Sequence, residues 1–353
     1  MSWWQRLMHK PFFIRLLHWE YWSFNTVYIW IYPIWFLLCL RVRSLFFFSA
    51  SNPTIENGGF LMESKKKIYD IMPEGSYPRT ILVKPGETEP AILEKIEAGG
   101  FEFPLIVKPD IGGKGRGVKK VNDAAALVSY VRKFPFDMLV QEYVPYEEEV
   151  GIFYYRYPDE PKGHISGIVG KHFLKVKGDG ASTIEQLLRK EKRYILQLPA
   201  LQELLGEGLQ EVLPVGEERV LVPYGNHARG ALFVDYSHWA DEKLVNVIDA
   251  VCQQVPGFYY GRLDIKYNTL EKLREGKEFS IIELNGAGSE PTHMYDPRHS
   301  LFDAWRFIIR HWLILWRISR RNHAKGVRYM TTREGIQMFR DTRKYDKLLE
   351  SLI

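Results

Sequence analysis

From Phe103 the chain reads FPLIVKP, an apolar run that predicts a strand. It breaks into DIGGKGRG and resumes in a second strand-like stretch, VKKV. Alternating positions predict further strands over Thr80–Val83, Met138–Tyr143, Val150–Tyr155, His164–His172, Arg219–Val222, Ala231–Asp235, Gly261–Tyr267 and Phe279–Leu284. The apolar stretch SLFFFSA, Ser44–Ala50, predicts a short buried strand. Helical spacing covers Glu63–Ile71, Glu87–Ala98, a segment capped by Asn122, Ser182–Lys190 and Trp239–Val255. Ser300–Ile318 reads as the last long helix. Pro73 and Gly99-Gly100 are stop signals, and Asn52-Pro53 and Gly58-Gly59 mark turns. Hairpin-like strand pairs among helices predict an α+β or α/β chain. Four regions are expected: 1–43, a short α/β region 44–85, a main domain 86–299 and a basic helical tail 300–353.

Length and composition narrow this little. A chain of 353 residues has ample material for a core and room for about two domains. Two cysteines, Cys39 and Cys252, make neither a disulfide framework nor a metal spacing. A net charge of +5, scattered and with no recognised module, gives no reason to expect nucleic-acid binding.

Charge and aromatic placement say more. Six of the ten tryptophans fall within the first 48 residues, with five Lys/Arg and a single acid, Glu20. Phe24–Leu40 holds 17 uncharged residues, the lower limit for a membrane span, but Asn25, Thr26 and Pro33 interrupt it. No small-residue cleavage site follows. Tryptophan and tyrosine favour the lipid–water boundary, and Arg41 and Arg43 favour anionic headgroups. The segment is therefore expected to lie at, or dip into, the cytoplasmic face of a membrane. A single span and a buried aromatic helix are the alternatives. Arg306–Arg328, with seven Lys/Arg and no acid, reads equally as a membrane-surface helix or as an ordinary helix against a core.

Candidate chemistry begins at the glycine loop. Gly112, Gly113, Gly115 and Gly117 let backbone N–H groups approach a ligand, and Lys108, Lys114 and Arg116 supply positive charge. That is either a phosphate cradle or a plain hairpin, since neither standard phosphate-loop spacing fits. Further on, Arg262 and Asp264 share one face of a strand, as do Glu283 and Asn285. If those strands pair, Asp264, Glu283 and Asn285 converge as the oxygen ligands that Mg²⁺ takes beside phosphates. Singly, each acid reads as a surface charge.

The order of these motifs, VKPDIGGKGRG, LVQEYVPYEEEVGIF, GRLDIKY and IIELNGAGSEPTH, resembles the ATP-grasp superfamily over about Glu63–Pro297. The likeness is greatest to D-alanine–D-alanine ligase, glutathione synthetase and cyanophycin synthetase. It implies an ATP-grasp fold, two α+β subdomains clasping ATP, with a truncated N-terminal region. It also implies an ATP-dependent, ADP-forming carboxylate–amine ligase working through an acyl-phosphate.

The resemblance further implies site roles. Lys108 and Lys65 would meet ATP phosphates under the Gly112–Gly117 loop. Glu142 and the Val144 backbone would meet adenine, and Glu149 the ribose. Asp264, Glu283 and Asn285 would hold Mg²⁺ (or Mn²⁺). Arg262 would face the acyl-phosphate and tetrahedral intermediate, with Arg229 as a second reaction-site cation. In GNHARGA, Asn226 and His227 are candidates for the acceptor, as is His293 of SEPTH. KVKGDGASTIEQLL resembles a cyanophycin-synthetase stretch or is a plain capped turn.

The short N-terminal region and the NGAGSEPTH ending depart from the D-alanine–D-alanine ligase pattern, so D-alanine is not the expected substrate. A small-molecule, peptide-like or lipid-linked substrate is expected. A phosphotransferase and a non-catalytic nucleotide-binding scaffold are the competing readings.

Overall fold

The computed structural model describes residues 10–113, 115–222 and 230–353. Helices α1 (Pro11–Leu17), α2 (Phe24–Tyr28) and α3 (Tyr32–Val42) come first, then α4 (Lys65–Asp70), β1 (Thr80–Val83) and α5 (Glu89–Ala98). The hairpin β2 (Leu105–Pro109) and β3 (Lys119–Val121) leads through α6 (Ala124–Val131) to β4 (Met138–Glu142), β5 (Glu148–Tyr155), β6 (His164–His172) and β7 (Leu174–Lys177). Short helices α7 (Ile184–Lys190), α8 (Lys192–Ile195) and α9 (Leu198–Leu205) precede β8 (Glu218–Val222) and β9 (Leu232–Asp235). The rest is α10 (Glu242–Gln253), β10 (Tyr260–Tyr267), α11 (Leu270–Arg274), β11 (Phe279–Asn285), α12 (Leu301–Ala324) and α13 (Thr332–Glu350). Helices with antiparallel strand pairs meet the α+β expectation.

The chain divides into two compact units, each assembled from separated stretches. The larger comprises Pro33–Ile168, Tyr236–Pro291 and Ile308–Ile353. One of its sheets has the order β1-β4-β2-β3, antiparallel throughout. Helices α5 and α6 cover it through Ile92, Ile96, Leu127 and Val131. Asp123 caps α6 by accepting Ala126 N–H at 2.7 Å, one residue beyond the expected cap at Asn122. Its other sheet runs β11-β10-β5 and on to the first half of β6. Helix α10, capped by Asp241, lays Leu244, Ile248 and Cys252 into a core with Ile152, Leu263, Ile265 and Ile281.

The smaller unit comprises the described parts of Met1–Tyr32 and Val169–Asp235, with Thr292–Phe307. There the far half of β6 pairs with β9, and β7 pairs with β8 under α7 and α9. A buried Arg193–Glu20 pair at 3.3 Å ties the N-terminal stretch to α8. Trp19 donates to the His299 carbonyl and Trp305 to that of Val27.

Two sequence expectations and one alternative, the single membrane span, are corrected. Ser44–Ala50 is not a strand: Phe47–Ala50 form a 3₁₀ turn, and Phe46, Phe47 and Phe48 are all buried, an apolar run whose periodicity does not tell strand from helix. Phe24–Leu40 is broken between α2 and α3, and no helix among the described residues is long and apolar enough to cross a membrane. Ser300–Ile318 is not the last helix. It extends to Ala324, and α13 follows, started by a capping box of Thr331 and Glu334.

Helix α13 ends in the core of the first sheet, where Leu349 is fully buried among Leu105, Val107 and Val140. Leu349→Ala is expected to lower unfolding free energy by about 2–4 kcal/mol. Urea titration checks this, and a loss under about 0.5 kcal/mol, the size of a surface change, would contradict the packing.

Candidate functional site

Except for His293, the described candidates all belong to the larger unit. The geometry is set by two features of its sheets. On β2, Lys108 stands opposite Leu139 of β4, and Gln141, two residues along β4, reaches it diagonally. On β11 the register slips: Asp264 pairs with Glu283, but Ile265 pairs with Ile281. The extra residue, Ile282, turns its carbonyl out of the ladder, as bulged residues do. That oxygen accepts from Tyr69 Oη at 2.6 Å and Lys108 Nζ at 3.1 Å.

The Lys108 ammonium is therefore buried among neutral acceptors, Tyr69 Oη at 2.9 Å, Gln141 Oε1 at 2.8 Å and the Ile282 carbonyl. It makes no ion pair among the described residues. Burial pushes its pKa down to about 8, against the opposing pull of Glu283 and Asp110.

Lys65 opens α4 behind the Ser64 cap. Its N–H donates to the Asp110 carbonyl at 3.2 Å, while the Asp110 carboxylate accepts Lys66 N–H at 2.7 Å. Its ammonium donates to the Gly112 carbonyl and lies 3.4 Å from Glu283 Oε1. One side chain thus joins the glycine loop to the acid-bearing strand.

The expected pairing of β10 with β11 is present, with Glu283 opposite Asp264 and Asn285 opposite Arg262. On the other flank of Asp264 stands Gly151, which carries no side chain. Arg262 grips Asp264 with Nε at 2.8 Å and Nη2 at 3.1 Å. Burial opposes the Arg262 charge, but Asp264 outweighs it and raises the pKa above the ordinary arginine value.

Two buried polar atoms beside this array have no hydrogen-bond partner, Glu63 Oε2 and Asn285 Nδ2. Burial raises the Glu63 pKa, with Lys65 opposing and Glu283 adding. Among the described residues no three His, Cys, Asp or Glu side chains converge as metal ligands. The oxygen set is two carboxylates and an amide on paired strands, hard donors of the kind Mg²⁺ takes together with phosphate oxygens. Asp264, Glu283 and the Asn285 Oδ1 would supply such a donor set, whereas the unpartnered Asn285 Nδ2 is an N–H donor and suits a phosphate oxygen instead.

The remaining candidates are placed as follows. Gly117 has φ +68°, and a Cβ there would sit 2.9 Å from Pro109 Cγ, so the loop needs glycine at this point. Gly112, Gly113 and Gly115 complete the described loop, with Lys114 outside it. Glu142 ends β4 in a half-exposed pair with Arg79 at 3.2 Å. Val144 is half-buried in the β4–β5 link, and Glu149 is buried on β5 opposite Lys266. Asn226, His227 and Arg229 lie outside the described residues. His293, in the smaller unit, is buried with its ring 4.7 Å from Phe307.

The GDG stretch forms a capped turn. Asp179 accepts N–H bonds from Ala181 and Ser182, and its bond from Lys190 holds its carboxyl well below the usual range.

Tyr69, Gln141, Asp110 and Glu63 were not singled out from sequence. Gln141 had a signal, the cross-strand position beside Lys108. For the bulge at Ile282 the sequence carries none.

No protein-family model matches the chain, and no curated protein matches it in sequence. Among solved structures, it is similar to a bifunctional glutathione synthetase from Pasteurella multocida (15% identity, TM-score 0.41, covering 72% of this chain and 38% of that one). It is also similar to VanG D-Ala:D-Ser ligase from Enterococcus faecalis (16%, TM-score 0.39, 72% and 61%). A third is the D-alanine–D-alanine ligase from Bacillus anthracis (15%, TM-score 0.40, 74% and 69%). The chain thus spans less than two thirds of the first two of these proteins.

The Lys108 environment has a pH signature. With a native pKa of about 8, against about 10.4 in the unfolded chain, the unfolded state binds the extra proton between those values. Stability therefore rises with pH across that window in the wild type, by about 3 kcal/mol from this group, and not in Lys108→Met. Unfolding free energies of both proteins from pH 7 to 10.5 check this (about half-unit steps suffice). Parallel profiles would contradict it.

Proposed function

We propose that the protein is an ATP-grasp ligase, joining a carboxylate to an amine with release of ADP and phosphate. The observation that carries this reading is the Lys65 bridge, which links the glycine loop at Gly112 to Glu283. A glycine-rich loop, two lysines and a pair of strand carboxylates occur together, the kinds of group that phosphoryl transfer uses.

In this reading Lys65, Lys108 and the Gly112–Gly117 amides take the ATP phosphates. Asp264, Glu283 and Asn285 hold Mg²⁺ (or Mn²⁺), which neutralises phosphate charge when bound. Glu142 and the Val144 backbone receive adenine, and Glu149 the ribose. Lys108 gives up its neutral acceptors for phosphate, and the arriving anion restores its full charge. A carboxylate is a poor electrophile, and phosphorylation makes it an acyl-phosphate that an amine attacks. Arg262, released from Asp264 when the ion takes its place, stabilises the tetrahedral oxyanion, with Arg229 as a second cation. Asn226 and His227 bind the acceptor, a small-molecule, peptide-like or lipid-linked amine or acid.

The same reading places the enzyme on the cytoplasmic face of a membrane, peripherally. Helix α3 supports this: Leu38 and Cys39 face the core, while Phe36, Leu37 and Leu40 are 54%, 59% and 72% exposed, followed by Arg41 and Arg43. An exposed apolar stripe ending in arginines suits an anionic lipid surface.

Two experiments test these proposals. Purified protein with Mg-ATP and pooled amino acids, peptides and envelope precursors should release ADP and phosphate together, and Glu283→Gln should reduce that release by about 100-fold or more. Full activity in Glu283→Gln, or a phosphorylated acceptor without free phosphate, would contradict the ligase. Sedimentation with anionic vesicles should carry down the wild type and leave Phe36→Asp/Leu40→Asp in the supernatant. Equal sedimentation of both would contradict the docking role of α3.

A further inference from the structure

The glycine loop does not stand alone. Tyr345 of α13 donates its hydroxyl to the Ile111 carbonyl at 2.9 Å, at the start of the loop. Its ring and Leu349 lie 3.7 and 3.8 Å from where a Gly112 Cβ would sit. Leu349 also lies 3.3 Å from the corresponding point at Gly117, the other end of the loop. Between these ends, Arg116 pairs with Asp346 and, through Nη1 at 3.0 Å, with Glu350. Positions 345, 346, 349 and 350 share one face of α13, so a single helix face meets the loop at both ends and in the middle.

This placement has a physical reason. Glycine loses more conformational freedom on ordering than any other residue, and this loop has four in six positions. N–H groups bind phosphate well only when they are held in place beforehand. Arg116 is the loop's one described charged side chain, and two of its nitrogens are committed to α13 carboxylates. Its Nε is buried with no hydrogen-bond partner. The guanidinium therefore points its pairing edge away from the loop backbone and toward α13.

We propose that α13 is part of the nucleotide site: Asp346 and Glu350, acting through Arg116, hold the Gly112–Gly117 loop in its phosphate-receiving conformation. Arg116 is then a positioning residue. The proposal rests on the nucleotide reading of the loop.

The test uses full-length protein and three readouts: Mg-ATP binding by calorimetry, amide hydrogen exchange of Gly112–Gly117 without nucleotide, and the split between KM and kcat. Asp346→Asn/Glu350→Gln should speed loop exchange, weaken ATP binding and raise the ATP KM by about tenfold, with kcat nearly unchanged. A charge-reversed set, Arg116→Glu with Asp346→Asn and Glu350→Arg, should restore both loop protection and affinity to within about threefold of wild type.

Unchanged exchange and affinity in the neutralised variant would overturn the proposal. Tighter ATP binding would too, because the carboxylates would then compete with phosphate for Arg116. Restored protection without restored affinity in the reversed set would assign Arg116 to direct phosphate contact and overturn its positioning role. Failure of the wild type to bind ATP would instead overturn the nucleotide reading itself, and the proposal with it, whatever the exchange rates.

Discussion

A lysine ammonium buried without a carboxylate beside it is a demanding feature, and the site is arranged around this one. Lys108 has three protons and finds three acceptors, from α4, β4 and the bulge of β11. Each element is thereby fixed relative to the others. Tyr69 brings α4, and with it Lys65. Gln141 ties the first sheet to the group, and Ile282 brings the second sheet with Glu283 one residue away. Neutral acceptors satisfy the protons but only partly offset the loss of water, so the charge is held at a disadvantage. An anion arriving there would relieve it.

The opposite arrangement holds on β10. Arg262 and Asp264 satisfy each other across one strand face, beside the side-chain-free Gly151. The carboxylates of this region are thus already neutralised by resident cations, Lys65 for Glu283 and Arg262 for Asp264. Removing Arg262 would strand the buried Asp264 charge, whereas the Lys65–Glu283 pair is only half-buried. A phosphate–metal group carries both signs and can replace both partners together.

Much of this was legible in the sequence. Strand β1 and strand β6 match the stretches Thr80–Val83 and His164–His172 residue for residue, although β6 is buried on both faces from Gly167 to Lys171. The pairing that brings Asp264 to Glu283, left conditional by the sequence, joins two strands close in the chain. What stayed hidden depends on three-dimensional accidents of packing. The bulge at Ile282 has no glycine to announce it. Helix α13 buries only Gly335, Met338 and Leu349 over 19 residues, and its dense mixed charges mask that sparse period. The N-terminal aromatic stretch reads from composition as a membrane-associating segment, but its α3 part also has a core-facing side. Its inner face is core, where Trp35 meets Trp312 at 5.1 Å. Composition alone does not separate the two faces of such a helix.

The central claim is that Lys65, Lys108 and the glycine loop form a phosphate site. Titration of Mg-ATP into the wild type and into Lys65→Met, by calorimetry at pH 7, tests it most directly. The account predicts saturable one-to-one binding by the wild type, weakened by about tenfold or more in the variant. Equal affinities in the two proteins, or no binding by a folded wild type, would contradict it.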